Sequence, residues 1–333
     1  MKTVWYTRQG PAHEVLQFGE QPEPHAGAGE VRVKLAASGV TPADIYRRAG
    51  PNFQMEGPLV IPNSDGAGIV DEIGAGAPRS LLGKRVWLYN GQRNGRVHGT
   101  AAEYIALAAD LVRELPQGTS FAEGACLGIP AMTAYCAVAR GGELKGRAVF
   151  VSGGAGAVGH YAVQWAKRFG ARVATTVSSE EKGAHARAAG ADLAVNYRTG
   201  DVAAALNEFT GGKGLAHAID VDFGANVAML LPLMAANGSI AYYASRGNLK
   251  PAFQADEFMR RNLPLDGLVL NGAPLELRRR AQDEIVRWME EGKREGAMKH
   301  TISAVFPLAR TADAHQAVET GGKRGTVVVE CSP

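Results

Sequence analysis

The sequence predicts an α/β protein in which a β-rich portion precedes a doubly wound, six-stranded parallel sheet. Three observations carry that prediction. In Val149-Phe150-Val151-Ser152-Gly153-Gly154-Ala155-Gly156-Ala157-Val158-Gly159 an apolar, β-branched run ends in glycines, and a helical apolar pattern from His160 to Lys167 starts at once. From Arg147 onward, runs of strand length alternate with runs of helical period. Before that, short alternating runs punctuated by glycine and proline suggest a small barrel or sandwich.

Taken in order, Met1-Lys2-Thr3-Val4-Trp5-Tyr6 reads as a strand rather than a signal peptide. Val31-Arg32-Val33-Lys34-Leu35-Ala36 alternates as a half-buried strand does. Gly66-Ala67-Gly68-Ile69-Val70 is another strand, with small residues where something must come close. Lys84 to Tyr89 and Ala101 to Ala106 continue the pattern, and Pro22, Pro24, Gly57-Pro58 and Pro62-Asn63 interrupt it. Ser120 with Glu123 three residues later marks a helix start. The stretch from Ala125 to Ala139 then reads as two helices broken at Ile129-Pro130. Beyond it, strands are expected at 148–152, 172–177, 193–196, 216–220, 238–244 and 263–270. Helices are expected at 157–169, 180–189, 202–209 and 226–234. Leu277, Ala281, Ile285 and Trp288 space out a long amphipathic helix ending before Gly292, and 326–330 forms a strand able to return to the first domain.

The 333 residues suffice for two domains, and 46% hydrophobic with 21% charged residues is a globular balance. The net charge of +3 comes without a dense basic tract. Arg278-Arg279-Arg280 sits among acids on the amphipathic helix, so it reads as a solvated face and no nucleic-acid partner is expected. Cys126, Cys136 and Cys331 form no C-x-x-C pair, which places reduced thiols in a cytoplasmic protein. No apolar run reaches membrane length, so no membrane association is expected.

Gly154, Gly156 and Gly159 satisfy the spacing G-x-G-x-x-G. In that pattern one glycine permits the tight turn, one lets backbone approach a pyrophosphate, and one lets helix and strand pack closely. The amides of this turn, those of Ala155, Ala157 and Val158 included, meet the positive end of the helix dipole and would hold phosphates. Spacing alone is weak evidence in a chain with 42 glycines; the strand, turn and helix context gives it weight.

Several stretches together resemble the zinc-independent quinone oxidoreductases, the zeta-crystallin branch of the medium-chain dehydrogenase/reductase superfamily. They are Ser38-Gly39-Val40-Thr41-Pro42-Ala43-Asp44-Ile45-Tyr46, Pro62-Asn63-Ser64-Asp65-Gly66-Ala67-Gly68, Gly128-Ile129-Pro130-Ala131-Met132-Thr133-Ala134-Tyr135, the glycine turn, and Ala244-Ser245-Arg246-Gly247. The resemblance implies a GroES-like catalytic domain over 1–122 and 271–333, a Rossmann domain over 123–270, and a homodimer. Thr41 and Ile129 stand where zinc-binding relatives carry cysteines, and Ser64-Asp65 replaces a His-Glu pair. The histidines show no H-x-x-x-H cluster either, so no metal site is expected.

At the end of the second strand of such a sheet an acid selects NADH. Ser178 is aligned there, with Lys182 a turn further on and Tyr197 after the third strand, and by resemblance these imply NADPH. Ser178-x-x-Glu181 is equally a capping box, so Ser178 can be read as a helix start. For the chemistry, Tyr46 is the leading candidate donor to the charge developing on the acceptor, or a packing partner of the nicotinamide ribose, and Thr41 is a second catalytic candidate. The resemblance also assigns Asn226, Ser245 and Arg246 to ribose and phosphates, Leu268, Val269 and Leu270 to the nicotinamide pocket, and Thr133 to a place beneath it. The readings that follow are quinone reduction, reduction of the activated double bond of an enal, enone or enoyl thioester, and a non-catalytic NADPH-binding, structural or RNA-binding protein. A thioester enzyme would want a basic groove, for which Arg47-Arg48 and Arg260-Arg261 are the available pairs.

Overall fold

The computed structural model describes residues 1–50, 53–292 and 297–331. Its contacts divide the chain into one unit of 1–130 with 282–333 and another of 131–281. The divisions thus fall at Pro130 and within the long C-terminal helix, some residues later than the sequence suggested at both junctions.

The first unit begins with a two-stranded ribbon, β1 (Lys2–Trp5) and β2 (Gln17–Glu20), around the short helix α1 (Ala12–Val15). Then come β3 (Glu30–Val40), helix α2 (Pro42–Ala49), β4 (Asp65–Ile73), β5 (Arg85–Leu88), β6 (Tyr104–Ala108) and β7 (Val112–Glu114). The long β3 organises this sheet: it pairs antiparallel with β4 along one edge and with β6 along half of the other. Alternation along the strands sends Val31, Val33, Leu35, Val70, Val86, Leu88, Ile105 and Leu107 into one buried cluster.

At Ser120 a capping box starts α3 (Phe121–Gly124). The expected break at Pro130 is a π turn over Leu127–Ala131, with Gly128 at non-helical angles, after which α4 (Met132–Ala139) begins.

The second unit alternates strand and helix: β8 (Ala148–Val151), α5 (Ala157–Arg168), β9 (Arg172–Val177), α6 (Glu180–Ala188), β10 (Leu193–Asn196), α7 (Val202–Thr210), β11 (Leu215–Asp220), α8 (Phe223–Leu230), β12 (Met234–Tyr242), α9 (Ala255–Arg260) and β13 (Leu265–Gly267). All six strands are parallel in the order β10-β9-β8-β11-β12-β13, which puts the reversal of strand order between β8 and β11. Two expectations need correction. The helix expected at 226–234 starts at Phe223 and stops at Leu230, because Pro232 cannot continue it and sits instead in a short 3₁₀ turn. The strand expected at 263–270 keeps only Leu265–Gly267; the chain then leaves the sheet and turns over Leu270–Gly272.

Helix α10 (Leu275–Glu291) leads to the tail, where β14 (Ile302–Pro307), α11 (Thr311–Thr320) and β15 (Thr326–Glu330) close the first unit. β15 pairs antiparallel with residues 37–40 of β3, as the sequence suggested. All three cysteines are buried, and burial pushes each thiol up to about 12. No helix among the described residues is long and apolar enough to cross a membrane.

Two buried histidines tie elements together. His217 of β11 donates from Nε2 to the Ala137 carbonyl at 3.0 Å and accepts at Nδ1 from the Ser239 hydroxyl at 2.7 Å. His315 of α11 donates from Nε2 to Asn63 Oδ1 at 2.9 Å, Asn63 Nδ2 donates to Ser38 Oγ at 3.0 Å, Ser38 to Thr100 Oγ1 at 2.7 Å, and Thr100 to the Asp65 carbonyl at 2.8 Å. Burial lowers both imidazoles, His315 to about 3. Both therefore stay neutral in the fold while the unfolded chain protonates them near pH ~6.5, so the stability they confer is present above that pH and lost below it. Urea titrations are expected to show a loss of at least about 1 kcal/mol between about pH 7.5 and about pH 5.5, with a shallower slope in His315→Gln.

Candidate functional site

The glycine turn lies at the carboxyl end of β8, on the edge of the sheet where strand order reverses. Its left-handed residue lies just outside the motif, while two of the motif glycines are required for close packing. Gly153, outside the motif, takes the left-handed φ of +69°. Gly154 is required for closeness: a Cβ there would stand 2.2 Å from Thr175 Oγ1. That hydroxyl accepts the Gly154 amide at 2.9 Å and donates to the Val151 carbonyl at 2.6 Å, while Thr176 Oγ1 accepts the Gly153 amide at 3.1 Å. Gly159 is likewise forced, since a Cβ would meet the Gly153 carbonyl at 2.2 Å. Gly156 caps α5 without any side-chain cap bond. The first-turn amides of Ala157, Val158 and Gly159 therefore have no acceptor within their own helix and, with Ala155 before them, form an anion cradle on the positive end of a three-turn helix.

Ser178 follows β9, and Lys182 Nζ donates to its hydroxyl at 3.1 Å. The capping role expected of Ser178 belongs to Ser179, whose hydroxyl accepts the Lys182 amide at 3.3 Å. Ser178 is thereby left to hold a cation beside the turn, which a helix cap would not do. Tyr197, after β10, is 54% exposed and carries a large uncovered ring surface.

Other expected residues are spent inside the second unit. Asn226 Nδ2 donates to Asp220 Oδ1 at 2.8 Å. The Ser245 hydroxyl accepts the Gly224 amide and donates to the Asn248 carbonyl, both at 3.0 Å. Arg246 is exposed on the same loop. Leu268 and Leu270 are buried, whereas Val269 between them is 69% exposed. Thr133 is buried on α4. Sequence reasoning missed Asp220, which ends β11 fully buried and accepts the Ser152 hydroxyl at 2.5 Å as well as Asn226. No local spacing announces it.

In the first unit the centre is Asp44, also missed, although Thr41-x-x-Asp44 has capping-box form. Its carboxylate is inaccessible to solvent and takes four bonds: the Thr41 amide at 2.8 Å, the Thr41 hydroxyl at 2.7 Å, the Ser64 hydroxyl at 3.0 Å and Arg93 Nη2 at 2.9 Å. The Thr41 hydroxyl thus gives its proton to Asp44, which removes it as a donor to an acceptor molecule. Tyr46, two residues along α2, is half-buried. Asp65 is fully buried, accepts the Ile129 amide at 2.8 Å, and is pushed well up by burial and the Asp44 charge. Thr41, Ser64, Asp65 and Ile129 thus offer a zinc ion neither a thiolate nor an imidazole, so this donor set does not fit zinc. Among the described residues no three His, Cys, Asp or Glu side chains gather in a metal-holding group.

The arginine pairs are neutralised rather than exposed as a basic groove. Arg47 pairs with Glu56 and Arg48 with Glu319; Arg260 and Arg261 pair with Asp256 and Glu257 along their own helix.

Two family models match the chain: "Alcohol dehydrogenase GroES-like domain" over residues 27–117 and "Zinc-binding dehydrogenase" over 157–291. The human protein "Quinone oxidoreductase" is 29% identical over 302 residues, covering 90% of this chain and 88% of its own. A "2-haloacrylate reductase" from a Burkholderia species is 27% identical over 341 residues, covering 99% and 98%. Among solved structures, a mycobacterial protein complexed with NADPH superposes with a TM-score of 0.85 at 26% identity over 99% of both chains. An NAD-dependent alcohol dehydrogenase superposes with a TM-score of 0.86 at 29% identity over 100% of both.

The close contact at Gly154 yields a paired test. Gly154→Ala is expected to cost about 1–3 kcal/mol and to lower the melting temperature by several degrees, because Thr175 must move. Gly156→Ala, whose Cβ would have its nearest neighbour at 3.2 Å, is expected to cost much less in the same thermal melt.

Proposed function

The chain belongs to the medium-chain dehydrogenase/reductase superfamily, and from that premise we propose that it is a zinc-independent, NADPH-dependent reductase of quinones. The observation that carries the cofactor part is the uncapped glycine turn with the Ser178–Lys182 pair beside it. The turn's amides suit a pyrophosphate, and a hydroxyl holding an ammonium group suits a further 2′-phosphate, which a carboxylate at that position would repel. Ser178, Lys182 and Tyr197 would hold the phosphate end. The turn from Gly154 to Gly159 would hold the pyrophosphate, and Thr133 with Leu268, Val269 and Leu270 would bound the nicotinamide. Asn226 and Ser245 would act by fixing the loops around the ribose, and Arg246 by contributing charge.

NADPH, when bound, supplies a hydride, which with one proton from solvent turns a quinone into a hydroquinone and leaves NADP⁺. The chain's own contribution is orientation and one donor. Charge developing on a quinone oxygen is delocalised over the ring, so a single hydrogen bond stabilises it adequately. Tyr46 is that donor in this proposal. Thr41 acts at one remove, by capping the helix that carries Tyr46. The identity of Thr41, Ser64 and Ile129 supports a reaction without zinc. The edge strand β13, with Leu265 exposed on it, supports assembly as a homodimer.

A second reading, reduction of an activated carbon–carbon double bond, is favoured by the resemblance to the haloacrylate reductase. A panel of quinones and enones, assayed with NADPH and NADH and with a chelator, separates the readings. Oxidation of NADPH by quinones, undiminished by the chelator, is expected; tight binding without turnover of any acceptor would reduce the protein to a cofactor binder. Ser178→Asp is expected to weaken NADPH at least tenfold, about 1.4 kcal/mol or more, while leaving NADH nearly unchanged. Equal loss for both would assign Ser178 a purely structural role.

A further inference from the structure

Asp220 carries more than its hydrogen bonds require. It ends β11, fully buried, and one of its oxygens does all the bonding. Oδ1 accepts the Ser152 hydroxyl at 2.5 Å, Asn226 Nδ2 at 2.8 Å and the Asp222 amide at 3.1 Å. Oδ2 is equally buried and has no hydrogen-bond partner. Among the described residues no Lys, Arg or His pairs with this carboxylate, whereas the buried Asp44 has Arg93 at 2.9 Å. Three bonds to one oxygen need only a carbonyl, which an asparagine would supply. The negative charge is surplus to them and is held in the fold at a desolvation cost.

The position of Asp220 gives that charge a use. It stands at the carboxyl edge of the sheet, on the strand beside β8, where strand order reverses. Ser152, which bonds it, immediately precedes Gly153 of the turn, and the Val221 amide donates to Ser152 Oγ at 2.7 Å. On the other side the Asp220 carbonyl accepts the Tyr243 amide at 3.1 Å, and the Tyr242 carbonyl accepts the Leu268 amide at 2.8 Å. Asp220 thus lies one strand spacing from the turn and two, about 10 Å, from Leu268. Those are the places assigned above to pyrophosphate and nicotinamide. Burial and the Asp220 charge together push the Tyr243 phenol well up, so the charge is felt along this edge.

Inside a protein, unit charges act on one another over such a distance without contact. When hydride leaves, its two electrons and its hydrogen nucleus pass to the acceptor, and the ring left behind gains one positive charge. The phosphates are the same in the oxidised and reduced cofactor. Repulsion between Asp220 and the phosphates therefore weakens both forms alike, and only attraction to the oxidised ring distinguishes them.

We propose that the unpaired Asp220 carboxylate stabilises the positive charge gained by the nicotinamide, and so biases the bound cofactor toward giving up its hydride. This rests on the NADPH reading above and adds to it a residue that favours the transfer through its field.

The test is the ratio of dissociation constants, Kd for NADP⁺ over Kd for NADPH, with NADPH followed by its fluorescence and NADP⁺ by displacing it. Asp220→Asn keeps an oxygen for the three donors and is expected to raise that ratio at least about threefold. Val221→Lys, at a position 39% exposed, sets a cation beside the carboxylate and is expected to raise the ratio in the same direction. It decides the matter if the asparagine variant does not fold. Ser152→Ala breaks one bond to Asp220 but keeps the charge, and is expected to change both constants together and leave their ratio as it was. A ratio unmoved or lowered in either folded charge variant, or raised equally by Ser152→Ala, overturns the inference and leaves the NADPH reading standing. Failure of the wild-type protein to bind either form removes that reading and the inference with it.

Discussion

The close approach of Gly154 to Thr175 is the contact on which the second unit depends. One threonine hydroxyl takes the amide of the turn and returns its own proton to the last carbonyl of β8. It thereby locks the first strand, the second strand and the start of α5 in one arrangement. A side chain on residue 154 would occupy the same space as that hydroxyl. The turn is held by β9, and the first turn of α5 carries no side-chain cap. Fixed backbone amides of this kind are the donors that the proposed phosphate site would use, with little reorganisation.

The fold was legible where period and punctuation agreed. The strands at 172–177, 193–196 and 326–330 fall where short apolar and β-branched runs put them. Legibility failed where tertiary contacts override local pattern. Leu268, Val269 and Leu270 look like strand, yet only the Leu268 amide reaches β12, and the chain then turns away. The capping serine was displaced by one residue because Ser178 and Ser179 are equivalent in a sequence and differ only in which hydroxyl faces the helix. Asp44 and Asp220 were missed for a shared reason. The importance of a buried carboxylate lies in donors gathered from distant segments, such as Ser64 and Arg93 for the one and Ser152 for the other.

Each buried carboxylate does similar work. Asp44 binds the start of α2, the entry to β4 and the loop bearing Arg93; Asp220 binds the ends of β8 and β11 to α8. Removing either carboxylate would leave donors buried without acceptors, which is far more costly than the net value of the bonds themselves. Around Asp44 the consequence extends to chemistry. The hydroxyl of Thr41 and the guanidinium of Arg93 are both committed to that one carboxylate.

In the function proposed above, the Ser178–Lys182 pair beside the glycine turn selects NADPH without help from a metal. Equilibrium titration of the wild-type protein with NADPH and with NADH, after exhaustive chelation, tests it most directly. One NADPH is expected to bind per chain, at least about tenfold more tightly than NADH. Equal affinities for the two dinucleotides, or binding that returns only when zinc is added, would contradict it.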